Sequence, residues 1–153
     1  MLIVCDKDYK VSGKLKIREE QDPYPNDEEV LIKVKSFGIN RPDLLQKKGL
    51  YPPPASASKI LGLECSGFVE KTGKKVTGMK EGDKVCALTA GGAYAEKVSV
   101  HQWHCFNIPK NLTFSEAAVL PEVFMTCWAN IFELGFLKQG DSILIHGGNS
   151  GIG

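Results

Sequence analysis

A chain of 153 residues, 42% apolar and 24% charged, is long enough to bury one sizeable core and too short for two full domains. Its 19 Lys and Arg against 18 Asp and Glu leave a formal charge of +1, which supplies no electrostatic footprint for a nucleic acid or an anionic membrane. The uninterrupted apolar runs, Leu2 to Cys5 and Ile143 to Ile145 among them, fall far short of the roughly 20 residues that span a bilayer, so no transmembrane helix is expected.

Asp6 and Lys7 interrupt the first apolar run too early for a secretory signal, and a cytoplasmic location is expected. Cysteines at 5, 65, 86, 105 and 127 are odd in number and widely spaced. That fits neither a disulfide framework nor a C-x-x-C motif, and they read as reduced, mostly buried thiols.

The first hundred residues carry short period-two runs broken by glycine, proline and Asp/Asn clusters, the pattern of antiparallel β-structure. Val11, Gly13, Leu15 and Ile17 alternate with polar residues, which predicts one wet and one buried face. A polar turn from Glu19 to Asn26 with Pro23 and Pro25 leads to Val30, Ile32 and Val34, and the two runs are expected to be neighbouring strands. A short helix is predicted from about Arg41, because Pro42 suits a first helical position and Asp43 favours the positive end of a helix dipole; it stops by Gly49. The prolines at 52, 53 and 54 make the next stretch a loop, since they lack the amide hydrogen.

Further strands are predicted at Cys65 to Glu70, Lys84 to Leu88 and Ala93 to Val100, together suggesting a partly opened barrel. Thr113 followed by Glu116 is a capping-box pattern that starts helix. From Glu122 to Leu134 the residues Val123, Phe124, Met125, Cys127, Trp128, Ile131 and Phe132 lie on more than one face, so this helix is expected to be buried on most sides. A strand from Ser142 to His146 then runs into a glycine cluster, with His146 as a strand-end packing residue.

That cluster, Gly148-Asn149-Ser150-Gly151-Ile152-Gly153, reads as G-x-G-x-x-G only if serine replaces the second glycine. Glycines after a strand let backbone amides approach a pyrophosphate at a helix N-terminus, although a plain turn has the same appearance. Asn40 and Tyr51 could each donate a hydrogen bond to a carbonyl oxygen. The competing readings are that Asn40 caps the helix and Tyr51 packs on the prolines. His101, His104 and Cys105 are the remaining metal candidates, but on an extended strand they point to opposite faces and read as surface or packed residues.

The succession G-I-N-R-P-D-L-L-Q, G-L-Y-P-P-P, I-L-G-L-E-C-S-G, E-G-D-K-V, L-T-F-S-E-A-A, L-P-E-V-F-M-T and H-G-G-N-S-G-I-G resembles the medium-chain dehydrogenase/reductases over nearly the whole chain. Within them it is similar to the zinc-free quinone oxidoreductases, particularly the tumour-suppressor-inducible NADPH:quinone reductase subgroup. The resemblance implies a mainly β fold with some α: a GroES-like catalytic domain at residues 1–120, then at 121–153 a bridging helix and the first strand of a Rossmann dinucleotide-binding domain. It implies an oxidoreductase moving hydride from NADPH to a quinone, with Asn40, Tyr51 and Thr126 near the nicotinamide. Gly147, Gly148, Ser150, Gly151, Ile152 and Gly153 would lie at the dinucleotide, Asn40 and Tyr51 would serve catalysis, and Asp43 would cap its helix.

Zinc enzymes of that superfamily carry a cysteine where this chain has Asn40 and a histidine where it has Leu63; amide and alkyl groups cannot replace thiolate and imidazole, so no catalytic metal is expected. The alternatives are an NADPH-dependent alkenal or enone reductase and a non-catalytic GroES-like binding or dimerising module. Because the sequence stops inside its coenzyme motif, this stretch by itself is expected to be inactive. Its exposed apolar run at 143–145 is expected to favour a homo-oligomer.

Overall fold

A computed structural model describes residues 1–5 and 14–153. Among the described residues, seven strands form two sheets. The smaller pairs β1 (Leu2–Cys5) antiparallel with β2 (Lys16–Glu19). The larger contains β3 (Glu29–Phe37), β4 (Glu64–Thr72), β5 (Lys84–Leu88), β6 (Lys97–His101) and β7 (Cys105–Asn107), in the order β6-β3-β4-β5-β7 with every pairing antiparallel.

Val30, Ile32, Cys65, Val69, Val85, Ala87, Val98 and Val100 form one core cluster along this sheet. Burying each of its larger aliphatic side chains contributes about 1.5–3 kcal/mol. A second cluster of Ile3, Cys5, Ile60, Tyr94 and Ala95 lies under the small sheet. The two sheets are stitched by an isolated bridge between Ile3 and Ala95 and by amide donations from Val4 to Tyr94 and from Glu96 to Leu2. The result is the expected mainly β architecture with some helix.

Several expectations are corrected. β2 pairs with β1 and not with β3, because both edges of β3 are taken by β4 and β6. Ile17 is 71% exposed, so the predicted buried face of the second strand is not there, while Val11 and Gly13 lie outside the described residues. β6 begins at Lys97 rather than Ala93, since Tyr94, Ala95 and Glu96 are engaged in joining β1.

The helices follow. α1 spans Arg41–Lys47, with Pro42 in its first turn and Asp43 at its third position. α2 (Phe114–Ala117) carries the predicted capping box: the Glu116 amide donates to Thr113 Oγ1 and the Thr113 amide to the Glu116 carboxylate. The Thr113 hydroxyl also donates to that carboxylate, and the Thr113 amide first and hydroxyl second hold the Glu116 carboxyl below its ordinary range.

α3 (Pro121–Trp128) continues into a π-helical turn, Ala129–Leu134. This helix was expected to be buried on most sides. Only Pro121 is buried in it, while Phe124, Trp128 and Leu134 are more than half exposed, because the strands that pack against it among the described residues, β4 and β5, cover little of its surface.

The helical stretch Phe114–Leu134, 21 residues whose most apolar 18 have a mean hydropathy of 1.2, is long and apolar enough to cross a membrane by length and composition alone, a stretch that uninterrupted apolar runs do not register. It is broken by a turn at 118–120 ahead of Pro121 and carries Glu116, Glu122 and Glu133. Residues 142–146 form no strand, having no partner strand among the described residues, and His146 is an exposed turn residue rather than a packed one.

Candidate functional site

The strand-to-helix corner after β3 builds the polar centre of the molecule. Asn40 sits at the N-cap of α1 in extended backbone, and its amide N–H donates to Asp43 Oδ2 at 2.8 Å. Asp43 is 1% exposed, and the same oxygen accepts the Tyr94 hydroxyl at 3.0 Å. The expected capping role of Asp43 is thus joined by a second one, that of anchoring Tyr94. Asp43 Oδ1 is buried with no hydrogen-bond partner among the described residues.

Glu64, at the start of β4, is also 1% exposed. Its Oε1 accepts Asn40 Nδ2 at 2.7 Å and its Oε2 accepts the Glu122 amide at 3.0 Å. Asn40 therefore spends one amide hydrogen inside the protein and keeps the other.

These groups act on one another. Burial pushes the Tyr94 phenol up, and the Asp43 charge and hydrogen bond and the Glu64 charge push the same way. The Glu122 carboxyl is raised by partial burial first, then by the charges of Glu64 and Asp43, against a lowering hydrogen bond from Thr126. Because the folded chain holds that proton more readily than the unfolded chain, stability falls as pH rises above the ordinary value of 4.5. Glu122→Gln is expected to raise the melting temperature at pH 7, with the gain vanishing below about pH 4, where both states bind the proton; thermal melts across that range check it.

The predicted site residues divide. Asn40 and Thr126 are brought to one neighbourhood through the chain of contacts Asn40, Glu64, Glu122, Thr126. The glycine segment reaches the next residue of α3, where Cys127 Sγ lies 3.5 Å from the carbonyl oxygen of Ile152. Tyr51 is exposed in the proline loop, and no hydrogen bond or ring contact among the described residues joins it to this cluster. Two grooves, one along β1 and β3 and one beside the Gly91 turn, include none of the predicted catalytic or coenzyme residues in their walls, although His101 and His104 line the second.

The fit to a dinucleotide differs at its two ends. Polar groups with capacity to spare gather at Asn40 and Thr126. In the glycine segment, Gly147 has a φ of 70°, and added Cβ atoms at Gly148 and Gly151 would meet nothing within 4 Å. The Ser150 amide, however, is spent on the Gly147 carbonyl and the Gly153 amide on Ser150 Oγ. The segment leaves room for a phosphate, with those two amides turned inward.

His101 and His104 differ from expectation: a 3-10 turn at Gln102–His104 brings their rings to 5.8 Å instead of placing them on opposite faces. Cys105 is buried, and its thiol is pushed up to about 12 by burial and the neighbouring Cys86. Burial also pushes the Cys65 and Cys86 thiols up, which disfavours them as thiolate ligands or nucleophiles. Sequence reasoning missed Glu64, Glu122 and Tyr94. The available signal was Glu64 itself, a lone charge within Leu61-Gly62-Leu63-Glu64-Cys65.

The profile described as the alcohol dehydrogenase GroES-like domain matches residues 26–110. The chain is 37% identical over 141 residues to the mouse synaptic vesicle membrane protein VAT-1 homolog-like, covering 92% of this chain and 34% of that protein. Among solved structures it is similar to the CurK enoyl reductase, at TM-score 0.86 and 28% identity over 99% of this chain and 48% of the other. It is also similar to an Escherichia coli quinone oxidoreductase complexed with NADPH, at TM-score 0.74 and 28% identity over 87% of this chain and 40% of the other. The chain thus spans about a third of that curated relative and less than half of those enzymes.

Proposed function

Because the chain belongs to the alcohol dehydrogenase GroES-like domain family, within the medium-chain dehydrogenase/reductases, we propose that it is the substrate-side part of an NADPH-dependent quinone oxidoreductase that works without zinc. One observation carries the reading. The strand-exit position that would need a metal-binding thiolate holds a neutral amide, Asn40, fixed by a buried carboxylate and keeping a donor for a ligand. The similar quinone oxidoreductase with bound NADPH and the ordered motifs from Gly38 to Gly153 support it.

Residues 1–120 would form the catalytic domain and 121–153 the bridge into the dinucleotide-binding domain. NADPH would supply the hydride. This chain's own residues would orient its nicotinamide end through Asn40 and Thr126, and Asn40 with Tyr51 would donate to the substrate oxygen as charge develops there. Gly147, Gly148, Ser150, Gly151, Ile152 and Gly153 would approach the pyrophosphate, after the inward bonds of Ser150 and Gly153 open. The protein would act in the cytoplasm, where its thiols stay reduced, and as a homo-oligomer, given the exposed Phe124, Trp128, Leu134 and Leu144.

A second reading, reduction of an enone or enoyl thioester, is favoured by the likeness to the CurK enoyl reductase, since the same hydride geometry serves both. Consumption of NADPH by the protein purified from its natural source, with a simple quinone and with an enone in parallel, separates them. Quinone reduction at least about tenfold faster in kcat/KM supports the first reading; the reverse preference favours the second, and no consumption with either removes both.

A further inference from the structure

We propose that Glu64 is a positioning residue. Its buried carboxylate fixes the orientation of the Asn40 amide, holding Nδ2 by one hydrogen so that the other can donate into the site, and seats the first available amide of α3 on its second oxygen. The consequence for catalysis rests on the reductase reading; the clamp itself rests on geometry.

The two oxygens serve two distant parts of the chain. Oε1 takes Asn40 Nδ2, 24 residues away, and Oε2 takes the Glu122 amide, 58 residues away. A carboxylate accepts and cannot donate, so it fixes Nδ2 rather than Oδ1 of Asn40 on its side, holding one hydrogen of that nitrogen and leaving the second to donate. An amide in its place would carry a donor of its own, and that determinacy would be lost.

At α3 the logic is one of missing partners. Pro121 opens the helix without an N–H, and Leu120, at the N-cap, has no side-chain oxygen with which to cap. Glu122 therefore offers the first N–H of the helix, and Glu64 supplies from β4 the capping oxygen that the local sequence lacks. Space has been kept for this arrangement. A Cβ added at Gly38 would collide with the Glu64 carboxylate, so that position admits glycine alone unless Glu64 moves.

No Lys or Arg pairs with Glu64 among the described residues, so the hydrogen bonds and the positive end of α3 are what compensate its burial. Asn40 and the helix that carries Thr126 thus share one anchor. A shift of Glu64 would move both together.

The test uses the full-length protein with Glu64→Gln, Glu64→Asp and Asn40→Ala, alone and combined. In the native background Glu64→Gln is expected to lower kcat for NADPH-dependent quinone reduction roughly tenfold, and in the Asn40→Ala background by less than about twofold. Glu64→Asp, still acceptor-only, is expected to recover at least about threefold of that loss. Equal losses from Glu64→Gln in both backgrounds would overturn the positioning role, since a purely structural defect acts regardless of Asn40.

If Glu64→Gln does not fold, Glu64→Asp in the two backgrounds carries the same comparison. Hydrogen exchange at Asn40 Nδ2, followed by NMR, decides the clamp without any turnover. Exchange about tenfold faster in the variant supports it, and equal exchange overturns it. Wild type that exchanges slowly at Nδ2 but consumes no NADPH would remove the reductase reading and leave the clamp standing.

Discussion

Gly67→Ala is expected to destabilise the protein by about 3 kcal/mol, through overpacking plus lost ladder hydrogen bonds. Gly67 lies opposite Val34 in the pairing of β3 with β4, and a Cβ added there would collide with the backbone carbonyl of Lys33. That obstacle is main chain, which cannot rotate aside as a side-chain tip can. The two strands would have to separate where β3 and β4 hold Ile32, Cys65 and Val69 in the core. Gly78 is the matched control, because a Cβ there would meet nothing within 4 Å; Gly78→Ala is expected to change stability by less than about 0.5 kcal/mol. Paired thermal melts followed by circular dichroism check both, with a drop of roughly 10 °C for Gly67→Ala. Similar melting temperatures for the two variants would show that the strands yield.

Asp43→Ala is expected to cost a comparable amount, about 3 kcal/mol, for a different reason. The substitution removes the acceptor at the start of α1 and leaves the buried Tyr94 hydroxyl without its partner. Tyr94→Phe removes only the second of these bonds and is expected to cost about 1 kcal/mol. In the double variant the losses should fall short of additive, because the orphaned hydroxyl that penalises Asp43→Ala is gone. Chemical denaturation of the two single variants and the double variant reads that coupling, and strict additivity would show that the Tyr94 bond contributes nothing to stability.

Both predictions concern the frame that holds Asn40. Gly67 keeps β4 against β3, and β4 begins at Glu64, while β3 ends just before Asn40. Asp43 and Glu64 then hold Asn40 by its main-chain amide and its side-chain amide respectively. The site is positioned by backbone proximity first and by two buried carboxylates second.

The sequence by itself determined the local elements whose causes are local. The α1 start followed from Pro42 and Asp43, the α2 start from the Thr113 and Glu116 pair, and β5 from an apolar run between glycine turns, because caps, prolines and turns act within a few residues. Its ordered motifs also carried the family, the GroES-like architecture and Asn40 as a residue at the polar centre.

Only the tertiary structure decided which strands are neighbours: β2 joins β1 because β4 and β6 already occupy β3, a competition that period-two patterning does not contain. It alone withdrew the strand at 142–146, since a strand exists only with a partner to accept its hydrogen bonds. It alone showed α3 only partly covered, with Phe124, Met125 and Trp128 exposed, because an apolar helix is buried only where other elements reach it. And it alone joined Asn40 to Glu122 through Glu64, for hydrogen bonds between residues 24 and 58 positions apart depend on how the chain closes on itself and leave no periodic trace along it.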